Sequence, residues 1–325
     1  MKKILCASGL FLLLSGCGSS PEPVTTPPVK QNPAKSITAP VAQNFTLPKL
    51  PQITAEQNAD TYLRKAQGLF VDPRKPSVKE MRDSLLKGTN AVDQKTINDF
   101  LATNKALFEM MKKAAATPVY VDSSVEDIDG MRVSNIVKVV NMGAQINLFY
   151  ALQVKALQTL SLEDARALTL LGNRRQANSI SILPHLMGQA NETAGLETIQ
   201  FILKKKTLTK GELTATVEFI RKLEDPFKSY GRTLLFERKF TLNELKELNV
   251  DEQTKQKLDV YYSDFISVVS GRKCHKDDGS GVPRDAKTPG DIALRSLLPT
   301  KNTTKLCELI SKRNVTIKLA QSLVK

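Results

Sequence analysis

The chain contains no tryptophan, and its 325 residues include only two histidines, His185 and His275. Imidazole chemistry, whether acid–base catalysis or zinc ligation, is thereby confined to two positions. Cysteine is also scarce: four occur and none forms a CxxC pair, which argues against a cysteine-rich metal finger. No Gly-x-Ser-x-Gly, phosphate-binding glycine loop or His-Glu-x-x-His is present. Acidic residues are in deficit, 33 against 47 Lys and Arg, leaving a formal charge of +14. Apolar residues make up 41% of the chain, near the globular norm, so most of it has the means to bury a core. The length suits one large or two small domains.

The ends differ from the middle. Met1-Lys2-Lys3 is a basic start, and Ile4 to Leu14 is an apolar stretch too short to span roughly 30 Å of hydrocarbon, so the segment reads as a cleavable signal. It closes on Leu14-Ser15-Gly16-Cys17. This run resembles the lipobox of bacterial lipoprotein signal peptides: an aliphatic residue, a small residue, Gly or Ala, then Cys. The resemblance covers residues 1–17 only. It implies cleavage before Cys17, a diacylglyceryl thioether on its sulfur and an acyl chain such as palmitate on the new terminus. Several acyl chains, each buried methylene contributing about 0.8 kcal/mol, make release from a bilayer rare. Gly18 and Ser19 follow, neither being the Asp that retains enterobacterial lipoproteins in the inner membrane. The expected location is therefore the periplasmic face of the outer membrane, with an inner or sole membrane as the alternative. A bacterial source also removes glycosylation from consideration at the Asn-x-Thr triplets.

Eight of the 16 prolines lie between Gly18 and Gln52, among Ser, Thr, Gln and Asn. Such a composition cannot bury enough surface to offset its ordering entropy, so residues 17–53 read as a disordered Pro-rich tether carrying the lipid. At roughly 3.1 Å per residue an extended tether reaches on the order of 100 Å. Cys6 falls in the signal and Cys17 takes lipid, leaving Cys274 and Cys307, two thiols of an exported protein that are expected to form a disulfide.

From residue 54 to the end, apolar residues recur at three- and four-residue spacings, and alternating strand patterns are scarce. The expected fold is all-α: a helical bundle of antiparallel helix hairpins, with solenoid-like stacking as a variant and a candidate sub-boundary near 117–130. Helices are expected over about 93–115, 133–160, 161–187, 209–223, 225–236, 251–269 and 302–324. Further helices are expected to open at Thr54 and at Thr241. Ser161, Thr209 and Thr241 each stand three residues before an acid, the pattern of a capped start. Asn141, Gln145, Asn147 and Gln153 interrupt the most apolar helix; they argue against a membrane span and either bond neighbouring backbone or line a cleft. Lys276-Asp277-Asp278-Gly279-Ser280-Gly281 lacks the alternating ligands and closing Glu of a calcium loop, and no metal or other cofactor is expected.

Two side chains stand out as candidate acid–base groups. Glu237, set between Leu234-Leu235-Phe236 and Phe240 beside Arg238, is a carboxylate in a strongly apolar setting, most simply paired with an arginine. His185 follows Pro184 in an apolar run and reads first as a packed histidine. Glu192-Thr193 superficially matches the opening of a murein-cleaving transglycosylase site, but the residues needed downstream are missing. The basic excess has no interleaved aromatics, which speaks against nucleic acid and suits anionic lipid or acidic cell-wall polymer. The sequence thus points to an envelope scaffold or binding module that is not an enzyme. Its rival is an envelope hydrolase acting on cell wall or peptide through Glu237 or His185.

Overall fold

The computed structural model describes residues 46–122, 129–132, 142–274 and 303–324. The fold is all-α, with helices packed on one another and no strand among these residues. After a 3-10 turn at Ala55–Gln57, the helices are α1 (Ala59–Leu69), α2 (Val78–Lys87), α3 (Gln94–Thr103), α4 (Lys105–Ala116), α5 (Met142–Thr159), α6 (Leu162–Ala177), α7 (Ile182–Lys205), α8 (Lys210–Arg221), α9 (Pro226–Glu247), α10 (Glu252–Ser270) and α11 (Thr304–Ser322). The ends follow local chemistry. Ser77 with Glu80, and Thr209 with Glu212, form reciprocal capping boxes that satisfy orphan N–H groups. Ser161 accepts from the Asp164 N–H at 3.1 Å, and Gly88 stops α2 in the left-handed region at φ 64°.

Three expected boundaries move, each for a visible reason. The helix expected over 93–115 breaks at Asn104, whose side chain bonds both backbone groups of Val71 while its amide also donates to the Phe100 carbonyl. The one expected over 161–187 ends at Ala177 and restarts at Ile182, so that Pro184 falls in a first turn, where its missing N–H is harmless. Conversely, Thr241 starts nothing. It lies inside α9, buried, with its hydroxyl donating to the Glu237 carbonyl at 2.8 Å, so the pattern that suggested a cap is a mid-helix back-bond.

One device recurs at the joints. Three buried asparagines each use the amide oxygen and nitrogen to pair with both backbone groups of a single distant residue, as a β-strand neighbour does. Asn58 holds Val121 (2.8 and 3.0 Å), Asn104 holds Val71 (3.1 and 2.9 Å) and Asn173 holds Glu224 (3.1 and 2.9 Å). Connecting segments are thus tied to helices without a sheet, and their polar backbone is satisfied where it is covered. Arg174 serves a helix end instead: its guanidinium donates to the carbonyls of Ala115 (2.5 Å) and Thr117 at the end of α4.

The core is divided among several apolar clusters. The largest joins α1–α4 to α5 and α6 through residues such as Leu63, Met81, Phe100, Leu107, Leu152 and Leu168, so it bridges the candidate sub-boundary at 117–130, of which residues 123–128 lie outside the described residues. A second cluster gathers Ile182, Tyr230, Leu234, Tyr262, Phe265 and Leu306. The end of the expected tether also contributes: Leu47 and Leu50 pack beside Met131, Ile180, Phe236 and Phe240. Cys274 and Cys307 are joined as a disulfide, with Cα atoms 6.0 Å apart. A loop of that length constrains the unfolded chain by roughly 3–4 kcal/mol.

The tightest contact is between α6 and α7. A Cβ at Gly172 would fall 2.4 Å from the Glu192 nitrogen, one at Gly188 2.7 Å from the Gly172 oxygen, and one at Gly195 2.2 Å from Thr169 Oγ1. Position 169 meets 195 while 176 meets 188, so these two helices run in opposite directions along the seam. Because the obstructing atoms are largely backbone, relief requires moving a helix. Gly172→Ala should therefore destabilise the fold by about 2–4 kcal/mol in a urea titration. Gly211→Ala, with the nearest neighbour 3.9 Å away on the exposed side of α8, should instead stabilise it by about 0.5–1 kcal/mol.

Candidate functional site

Packing α7 onto α9 brings Glu237 and His185 to one helix crossing. Tyr230, Thr233 and Glu237 occupy one face of α9 at three- and four-residue spacings, and the first turn of α7 lies on them. Glu237 Oε2 accepts the Ile182 N–H at 3.2 Å, the first residue of α7, and Ser181 supplies a second bond. Ser181 makes no side-chain cap of its own, so a carboxylate from another helix caps α7 where its dipole is positive. The arginine expected as its partner is elsewhere. Arg238 turns outward to Asp259 at 2.5 Å, because neighbours on a helix point about 100° apart.

Burial pushes the Glu237 carboxyl up to about 7, although its hydrogen bonds with Ile182 and Ser181 favour the charged form. Burial also pushes His185 down to about 3, the Gln176 backbone acting the other way and Arg232 adding to the fall. Its ring lies 4.9 Å from that of Tyr230, with Thr233 Oγ1 3.4 Å from Nδ1 and Gln189 Nε2 3.5 Å from Nε2. Tyr230 and Tyr262, both held un-ionised by burial and by Glu237, complete the surround. No hydrogen bond links His185 to Glu237 among the described residues. Each serves its own neighbours.

Glu192, which does not fit a transglycosylase opening by sequence, is a second buried carboxylate. Glu192, inaccessible in the α6–α7 seam, accepts from Asn173 Nδ2 (3.1 Å), Gln176 Nε2 (2.7 Å) and Arg313 Nε of α11 (2.5 Å). The signal was present in its flanks: Gly188 and Gly195, four before and three after, mark a helix face that approaches another backbone and encloses whatever lies between. Arg175 is likewise fully buried, its guanidinium carbon 5.6 Å from the centre of the Tyr120 ring. Of the basic pair Arg174–Arg175, Arg175 is therefore interior and Arg174 half-buried. Of the amides in α5, Gln153 bonds the Ala194 carbonyl (3.2 Å) and Thr198 Oγ1 (3.1 Å), so it joins helices instead of lining a cleft. Asn141, His275 and the acidic glycine loop at 276–281 lie outside the described residues. The described residues contain no group of three or more potential metal ligands.

The two titrating groups leave a testable pH signature. Glu237 binds its proton more tightly when folded, so its contribution falls as pH rises from about 4.5 to about 7. His185 binds its proton more weakly when folded, so its contribution falls as pH drops from about 6.5 to about 3. Between pH 4.5 and 6.5 the slopes oppose each other, each on the order of 1.4 kcal/mol per pH unit. Glu237→Gln should therefore lose stability on acidification through this window, and His185→Gln should gain it, in urea titrations at successive pH values. Parallel profiles in both variants would contradict the assignment.

Comparison with protein-family models, curated proteins and solved structures finds no match to this chain, so the reading of its site rests on its own residues.

Proposed function

We propose that the chain is an envelope lipoprotein, held by acyl chains on Cys17 at the periplasmic face of the outer membrane. Its helical body acts as a non-enzymatic scaffold or binding module for other envelope components. The observation that carries this reading is Leu14-Ser15-Gly16-Cys17 directly after a basic start and a short apolar stretch. Two further features support it. No helix among the described residues is long and apolar enough to cross a membrane, so nothing there competes with the acyl anchor. Glu237 and His185 are buried and occupied in holding α7 on α9, which gives them structural work.

The hydrolase reading draws on one fact, a carboxyl poised near neutral pH. Against it stands the enclosure of that carboxyl by Ile182, Tyr230 and Tyr262. Labelled palmitate fed to expressing cells should appear on the wild-type chain and not on Cys17→Ser, and an unlabelled wild type would remove the anchor. In a strain lacking the protein, Glu237→Gln and His185→Ala should each restore the wild-type phenotype when their levels match. Loss of rescue by a folded Glu237→Gln chain would move the account to the hydrolase.

A further inference from the structure

The last turn of α7, the first turn of α8 and the end of α11 enclose an open groove of about 290 Å³. Leu208 and Leu213 face it from one side and Leu323, 41% exposed, from another, while Lys204, Lys205 and Lys206 stand exposed on its rim. Several other cations of the body are neutralised by ion pairs. Lys112 pairs with Glu163, Lys312 with Glu197 and Lys155 with Asp164. No carboxylate lies within ion-pair distance of the three rim lysines among the described residues. Glu212, which feels the charge of Lys206, is engaged chiefly in the Thr209 capping box, and this keeps its carboxyl below the usual range. The groove therefore carries positive charge held in no ion pair above a leucine floor.

We propose that this groove is the face by which the folded body lies on an anionic phospholipid bilayer, lipid phosphates meeting Lys204, Lys205 and Lys206 while Leu323 and Leu208 enter the interface. This deepens the membrane reading and rests on it, because a tether fixed at Cys17 keeps a weak patch at high local lipid concentration. Charge alone would suit an acidic wall polymer equally. The apolar side of the groove decides for lipid, since a hydrated polyanion gains nothing from leucine. A lysine near such a surface contributes enough that three together move binding by on the order of 100-fold.

The test uses the whole mature chain, residues 17–325 with Cys17→Ser, so that no acyl group contributes. It should sediment with vesicles containing phosphatidylglycerol and remain free of pure phosphatidylcholine vesicles. The triple variant K204Q/K205Q/K206Q should lower the partition coefficient on the order of 100-fold. Leu323→Ser should lower it by a smaller factor that salt does not alter. The triple variant K79Q/K87Q/K95Q, changing exposed lysines on α2 and α3, should leave it unchanged. Equal losses in the two triple variants, undiminished binding by the groove variant, or binding to soluble polyphosphate with none to the anionic vesicles would each overturn the proposal. Failure of these arms with palmitate still on wild-type Cys17 removes the groove and leaves the anchor; the opposite pattern removes the anchor alone.

Discussion

The close approach of α6 and α7 is the constraint on which the rest of the body depends. Three glycines let the backbones come near enough that no side chain fits between them at those points. Anything else in the seam is sealed from water, and what the seam contains is a carboxylate. An ionised Glu192 there carries a desolvation cost of several kcal/mol unless other groups meet both of its oxygens. Asn173 and Gln176 of α6 meet one, and Arg313 of α11 meets the other. The seam thus reaches forward 121 residues to recruit the last helix, and it reaches the start of α9 through Asn173, which also holds Glu224.

Polar residues elsewhere follow the same logic. Side chains that look functional in a linear reading are used as connectors: Glu237 caps a helix other than its own, Arg174 caps another, and three asparagines imitate a neighbouring strand. A bundle assembled from many short helices has many ends, and each end leaves backbone groups without partners. The polar interior answers that requirement, so burial and a perturbed titration at Glu237 are weak grounds for catalysis. Among the described residues the lysine-rimmed groove does face water, and its charge and leucines suit adhesion.

How much of this was legible depended on whether the information was local. Periodicity and caps revealed the all-α class and most helix starts, because spacing and a Ser or Thr three residues before an acid act within one turn. The disulfide was legible by elimination among four cysteines. The breaks at Asn104 and at 178–181 were not, because their causes are partners 33 and more residues away. Thr241 misled because a hydroxyl bonding back within a helix and one capping its start share a sequence pattern. Arg174-Arg175 and Lys204-Lys205-Lys206 are alike as basic runs, yet Arg175 is interior, Arg174 half-buried and the lysine triplet exposed; only the register of the helix against its neighbours separates them. Glu192 was seen and dismissed, although the glycines around it carried the clue.

The central claim is that the sealed Glu192 charge and its answer from Arg313 hold the seam to the end of the chain. A double-mutant cycle tests it most directly, with Glu192→Gln, Arg313→Met and the pair compared by urea unfolding. Each single change should cost about 3–5 kcal/mol, because each strands a buried group. The double variant should cost less than their sum by about 1–3 kcal/mol. Strictly additive losses, or a neutral Glu192→Gln, would contradict the account.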